Sequence, residues 1–154
     1  MRIVSVGGGP AGLYLAILMK KADPRHEVIV VERNRPDDTF GFGVVFSDAT
    51  LGTFAAADRE SHDAIRARFA HWDDIDIHYR GQVITSRGHG FAGMSRRALL
   101  DVLTARAREL GVELRFQTEI GEDELRRLQR DYDVVVGADG VNSLARRVLA
   151  PEIA

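Results

Sequence analysis

The chain has 154 residues, 45% hydrophobic and 29% charged, with 21 basic and 23 acidic side chains and a formal net charge of -2. That composition supports one globular core and argues against electrostatic capture of nucleic acid or an anionic membrane. Cysteine is absent, which excludes disulfides, thiolate catalysis and cysteine metal sites.

Arg2 to Val6 reads as a short buried strand. Pro10 to Ala22 is a helix apolar nearly all round, so it packs on several sides. Its apolar run, Leu13 to Met19, is far below the ~20 residues of a membrane span. No signal-peptide core is present, and a soluble cytoplasmic protein is the expectation. Asp23-Pro24 ends the helix. Val28 to Val31 is a run of four β-branched residues, the mark of a strand buried on both faces of a parallel sheet. Periodicity fades from Asn34 to Ala70: NRPDDTFGFG is loop-like, and TLGTFAAADRESHDAIRARFAHW is helical in pieces. Ile75 to Tyr79 and Gln82 to Ser86 form a hairpin around Arg80-Gly81, with Gly81 at positive φ. Ser95 caps a helix that runs to Leu110, with Leu99, Val102, Leu103 and Leu110 on one face and Gly111 at its end. Val112, Leu114 and Phe116 alternate as a strand. Glu122, Asp123 and Glu124 open a further helix and Arg126, Arg127 and Arg130 close it, as the macrodipole favours. Val134 to Val136 is a last buried strand, and Ser143 starts a last helix. Alternating strands and helices predict an α/β fold with a parallel sheet, the hairpin lying in an insertion at about residues 40–92.

Three pieces carry chemistry. Gly7-Gly8-Gly9-Pro10-Ala11-Gly12 matches G-x-G-x-x-G. Gly7 permits the tight turn out of the strand, Gly9 the close approach of a pyrophosphate, and Gly12 close packing of helix on sheet. Pro10 sits where its missing N–H costs nothing, and the helix N-terminus faces the phosphates. Glu32 follows Gly12 by twenty residues, at the end of the second strand. A carboxylate there can accept both ribose hydroxyls of an adenosine. The third piece, GADGVNS, puts Asp139 and Gly140 at the carboxyl end of a buried strand, where α/β sheets bind ligands. The first two pieces point to an adenine dinucleotide. The third, by itself, is also consistent with a plain Asp-Gly turn.

Together GGGPAG, VVER and GADGVNS resemble the flavoprotein aromatic hydroxylases, the single-component FAD monooxygenases of the para-hydroxybenzoate hydroxylase type. The likeness runs through essentially the whole chain. It is strongest toward the branch that includes salicylyl-CoA 5-hydroxylase and the 2-aminobenzoyl-CoA monooxygenases, through MRIVSVGGGPAGLYLAILMKK, HWDDIDIHYRG and GHGFAGMSRRALL. The resemblance implies a Rossmann-like FAD-binding domain, FAD as cofactor, NADH or NADPH as co-substrate, O2, and an aromatic substrate held as an aryl-CoA thioester or a similar bulky group. It moves the ligand from NAD to FAD through Asp139-Gly140. It assigns Arg96, in SRRALLDVL, to the flavin nucleotide in preference to Arg97, and sets Arg33 beside the adenosine. TFGFGVVFSD corresponds to a loop near flavin and substrate, with Phe42 a pocket wall or a core residue.

A full-length member carries a second FAD motif and a large substrate-binding sheet, neither of which is in these 154 residues. The chain, ending at APEIA, is therefore expected to be a truncated, partial FAD-binding domain. A non-catalytic nucleotide-binding remnant and a related reductase without oxygenation stay open as alternatives. No residue stands out as acid, base or nucleophile. A metal site at Asp74, Asp76 and His78 is conceivable on one strand face, but the expectation is none.

Overall fold

The computed structural model describes residues 1–38, 41–46 and 48–150. The chain runs β1 (Arg2–Val6), α1 (Pro10–Ala22), β2 (Glu27–Val31), β3 (Gly43–Phe46), α2 (Asp48–Ala57), α3 (Arg59–Arg66), β4 (Ala70–Trp72) and β5 (Ile75–Tyr79). It continues with β6 (Gln82–Ser86), β7 (Phe91–Ser95), α4 (Arg96–Glu109), β8 (Glu113–Arg115), α5 (Glu122–Asp131), β9 (Val134–Gly137) and α6 (Leu144–Leu149). Two compact units result, one of Met1–Thr39 with Leu100–Ala154 and one of Phe40–Leu99.

The first unit is built on a four-stranded parallel sheet in the order β8-β2-β1-β9. Ile3 lies opposite Val28 on one side and Val134 on the other, so β1 is central. Both faces of β1 and β2 are covered, which is why Ile3, Val4, Val28 and Val30 are all buried. One face carries Val4, Val6, Ile29 and Val31 and packs on Leu125 and Leu128 of α5 and Ala145 of α6. The opposite face carries Ser5, on which Gly12 of α1 rests, and α1 buries Leu13, Ala16 and Ile17. The βαβ step from β1 to β2 moves one way along the sheet, and β9 joins on the other side. The order therefore reverses at β1, the kind of position where open α/β sheets bind ligands.

The helices end as their residues dictate. Ser95 Oγ accepts from the Ala98 N–H at 3.1 Å and caps α4, and Gly111 leaves that helix at φ +78°. On α5, Glu122 pairs with Arg126 at 2.8 Å and Glu124 with Arg127 at 3.2 Å, with the acids in the first turn.

The second unit holds a three-stranded antiparallel sheet in the order β3-β7-β4, with α2 and α3. Phe46 of β3 meets Phe54 edge-on at 6.0 Å and Phe69 at 5.5 Å, and Ile65 of α3 is buried. Asp58 ends α2 and caps α3 through the Ser61 N–H. The β5–β6 hairpin forms a two-stranded sheet of its own, turning through Arg80 (φ +49°) and Gly81 (φ +76°).

Three strands of this unit escape the sequence reading. Gly43–Phe46, expected within a loop, is β3; Ala70–Trp72, expected at the end of a stretch helical in pieces, is the strand β4; and β7 went unassigned. All three are three to five residues long, too short for alternation to show. Phe42 is not a core residue of its unit: it is fully exposed. Thr39, Phe40 and Ser47 of TFGFGVVFSD, and the last four residues of APEIA, lie outside the described residues.

Candidate functional site

The carboxyl ends of β1, β2 and β9 bring the first and third motifs together with Glu32. Gly7 turns out of β1 at φ +112°, a backbone state that disfavours any side chain. Its N–H is held by the Val31 carbonyl at 2.8 Å. A Cβ there would collide with the Ala138 carbonyl and stand 2.8 Å from the Asp139 nitrogen. A Cβ on Gly12 would collide with the Gly7 carbonyl and stand 2.8 Å from Ser5 Oγ. Gly9 differs from both. Its φ is -69°, and a Cβ would meet nothing within 4 Å. The space it faces is open, and it lies at the N-cap of α1.

Pro10 and the exposed Ala11 open α1. Its first turn has no acid and its last turn has Lys20 and Lys21. No acid of the helix's own first turn offsets the positive end of its dipole, and the first N–H groups lack intrahelical acceptors. Such an end receives phosphate.

Glu32 folds back onto the glycine turn. Its Oε2 accepts from the Gly8 N–H at 2.8 Å, and its Oε1 accepts from the Asn34 N–H at 2.8 Å and from Asn34 Nδ2 at 2.7 Å. A Cβ on Gly8 would stand 2.8 Å from the Glu32 Cβ, so the middle glycine makes room for the acid. Gly8 and Asn34 are the two site residues that the motif reading missed. The third consecutive glycine was the available signal for the first. Nothing in the sequence marks Asn34, because its role depends on how the chain turns after β2. Arg33, between them, is exposed.

Asp139 is directed inward. It accepts from Ser143 Oγ, from the Leu144 N–H at 2.7 Å and from the Ala145 N–H at 3.1 Å, while Ser143 Oγ accepts from the Arg146 N–H at 2.9 Å. Partial burial pushes the carboxyl up; the hydrogen bonds from Ser143 and from the backbone of Ala145 and Leu144 outweigh that and hold it below the usual carboxylate value. The carboxylate therefore caps α6, and what the loop offers outward is backbone at Gly140, where φ is +84°. Gly7 is packed against the Ala138–Asp139 peptide, so the first and third motifs form one continuous surface.

Arg96 belongs to the second unit. It is half-buried at the start of α4, its N–H donating to the Phe42 carbonyl at 3.3 Å and its Cδ near Gly41, whereas Arg97 is exposed. Asp74 lies outside β5, which begins at Ile75, so it does not share a strand face with Asp76 and His78. Asp76 accepts from Thr85 Oγ1 at 2.7 Å, and Asp74 pairs with Arg87 at 3.7 Å. Among the described residues no group of three or more His, Asp or Glu could hold a metal ion.

The donors and acceptors fit an adenine dinucleotide: an uncovered glycine face, a helix N-terminus and a carboxylate beside it. The family model described as the FAD binding domain matches residues 1–153. The chain belongs to this family. It is 46% identical over 153 residues to a salicyloyl-CoA 5-hydroxylase of a Streptomyces species, a match that covers 99% of this chain and 29% of that protein. It is 35% identical to a 3-hydroxy-4-methyl-anthranilyl-(aryl-carrier protein) 5-monooxygenase of Streptosporangium sibiricum, over 96% of this chain and 40% of that protein. Among solved structures, the tetrameric form of 2-methyl-3-hydroxypyridine-5-carboxylic acid oxygenase shares the fold. Its TM-score is 0.78 at 24% identity, over 97% of this chain and 42% of that one. This FAD binding domain thus spans well under half the length of these relatives. None of its described helices is long and apolar enough to cross a membrane.

Proposed function

We propose that this chain is the FAD-binding part of an NADH- or NADPH-dependent monooxygenase that hydroxylates an aromatic acyl group carried as a thioester. The observation that carries this reading is Glu32 closed onto the Gly7–Gly12 turn at the carboxyl edge of a parallel sheet, in a chain of the FAD binding domain family. Two relatives are named for benzoyl groups with an ortho heteroatom, salicyloyl on CoA and an anthranilyl on an aryl-carrier protein. That favours a substrate presented on a pantetheine-type arm.

In this reading Gly9 and the α1 N-terminus take the pyrophosphate, Glu32 takes the adenosine ribose, and Arg33 lies beside the adenosine. Gly140 and the backbone around Asp139 form the far wall, and Arg96 contacts the flavin nucleotide. Bound there, FAD would supply the redox chemistry of an oxygenation that depends on a nicotinamide nucleotide and O2. These residues bind and orient it; none supplies an acid or base. Reliance on a soluble nucleotide co-substrate fits a cytoplasmic setting.

Titration with FAD tests the reading, followed by flavin fluorescence quenching. Saturable binding is expected, and Glu32→Ala weakens it about tenfold, the scale of a lost hydrogen bond to a charged group. Wild-type protein that neither binds FAD nor acquires a flavin spectrum would refute it.

A further inference from the structure

We propose that Asn34 is a positioning residue that saturates one oxygen of Glu32, so that the side chain reads one ribose hydroxyl and not two; this rests on the dinucleotide reading above. An ionised carboxylate is acceptor-only, with about four lone-pair sites over its two oxygens. Three donors already occupy Glu32: the Asn34 N–H and Nδ2 on Oε1, and the Gly8 N–H on Oε2. One site remains, and it is on Oε2, the oxygen beside the glycine turn. The expectation that Glu32 accepts both ribose hydroxyls is replaced by a single acceptor on a defined oxygen.

The clamp is built from three strand ends. The Glu32 N–H donates to the Arg115 carbonyl at 2.8 Å, the Thr118 N–H to the Glu32 carbonyl at 2.9 Å, and the Gln117 N–H to the Asn34 carbonyl at 3.1 Å. The segment that carries both acid and amide is therefore stitched to the loop after β8. Gln117 adopts φ +54° to make this possible, one of two non-glycine residues with positive φ among those described. Such a conformation costs energy for a side chain with a Cβ and persists where the surroundings impose it. Its result is two adjacent N–H groups aimed at the carbonyls of Asn34 and Glu32. The carboxylate identity of Glu32 also fixes the Asn34 amide, which must present nitrogen to an oxygen that has no proton to give.

The experiment measures calorimetric affinities of the full chain for ADP, 2′-deoxy-ADP and 3′-deoxy-ADP, in wild type, Asn34→Ala, the isosteric Asn34→Asp, Glu32→Ala and the double variant Glu32→Ala with Asn34→Ala. Wild type should lose about tenfold for one deoxy nucleotide and less than about threefold for the other, since one hydroxyl meets the charged acceptor. Asn34→Ala should weaken ADP about fivefold and narrow that preference to below about threefold, because Oε1 regains a free site. Asn34→Asp sets like charges face to face and should weaken ADP at least as much. In the Glu32→Ala background, Asn34→Ala should change nothing beyond about twofold, the signature of coupled groups. Equal losses for both deoxy nucleotides in wild type overturn the inference, as does unchanged preference in Asn34→Ala or an Asn34 effect that survives without Glu32. Absence of any ADP and FAD binding by wild type overturns the dinucleotide reading itself, and the inference with it.

Discussion

At the residue scale, the glycines of one motif have three separable jobs. Gly7 is constrained by its own backbone and by the Ala138 carbonyl, and Gly12 by the Gly7 carbonyl and Ser5. Both are needed for folding whether or not a ligand binds. Gly9 has an ordinary φ and open space where its Cβ would stand, so beyond the modest preference of an N-cap for glycine only a ligand can object to a side chain there. Gly9→Ala should therefore lower stability to urea by no more than about 1 kcal/mol, the cost of alanine at an N-cap, while FAD affinity falls tenfold or more. Gly7→Ala should cost stability outright, about 2 kcal/mol or more from positive φ and overlap together. Parallel denaturation and FAD titration of the two variants separate the roles. A large loss of stability in Gly9→Ala, or intact FAD binding by it, would show the open face to be something other than a phosphate seat.

Elements that were legible in the sequence are those whose pattern is local and long. Helix α1 follows from Pro10 and thirteen residues of uninterrupted helical sequence, β2 from its β-branched run, and the β5–β6 hairpin from Arg80-Gly81. Strands β3, β4 and β7 were not, because each is defined by its partner: Gly43 by Ser95, Trp72 by Phe91. The same limit applies within the site. Glu32 could be placed by spacing from Gly12, but its three donors come from a turn and a loop whose approach no spacing encodes. Asp139 has a further role that its strand-end position does not announce: its carboxylate caps α6. A capping carboxylate has a pH signature. The native carboxyl lies below its ordinary value, so its stabilisation is fully present above the unfolded value of about 3.9 and is lost as pH falls through the lower native value. Asp139→Ala should cost about 1 kcal/mol at pH 7, as loss of an N-cap does. The gap from wild type should close progressively below about pH 4, measured by urea unfolding from pH 7 to 3. A gap constant over that range would mean that the charge of Asp139 contributes nothing to the cap.

For the whole molecule, the residues assigned to the nucleotide are unevenly divided. The glycine turn, Glu32, Asn34, Asp139 and Gly140 all belong to the discontinuous sheet unit, and only Arg96 lies in the unit of residues 40–99. The two units also differ in how they are secured. The parallel sheet buries both faces of its two inner strands, while the β5–β6 hairpin pairs only with itself among the described residues and leaves Ile77, Tyr79, Val83 and Ile84 more than half exposed. An isolated two-stranded sheet is marginal in water, and a segment with few buried contacts opens at low free energy without global unfolding. Trypsin should therefore cut first after Arg80 or Arg87, in the hairpin turn and just beyond β6, both exposed and both followed by glycine. Mass spectrometry of the early fragments locates the cut. The nicked chain, kept together by the sheet unit, should bind ADP within about threefold of the intact protein, because every adenosine-side group lies outside the cleaved segment. First cleavage at Arg115, Arg126 or Arg127 would mean that the sheet unit is the weaker one. Loss of ADP binding on hairpin cleavage would mean that the adenosine side of the site depends on residues 40–99 after all.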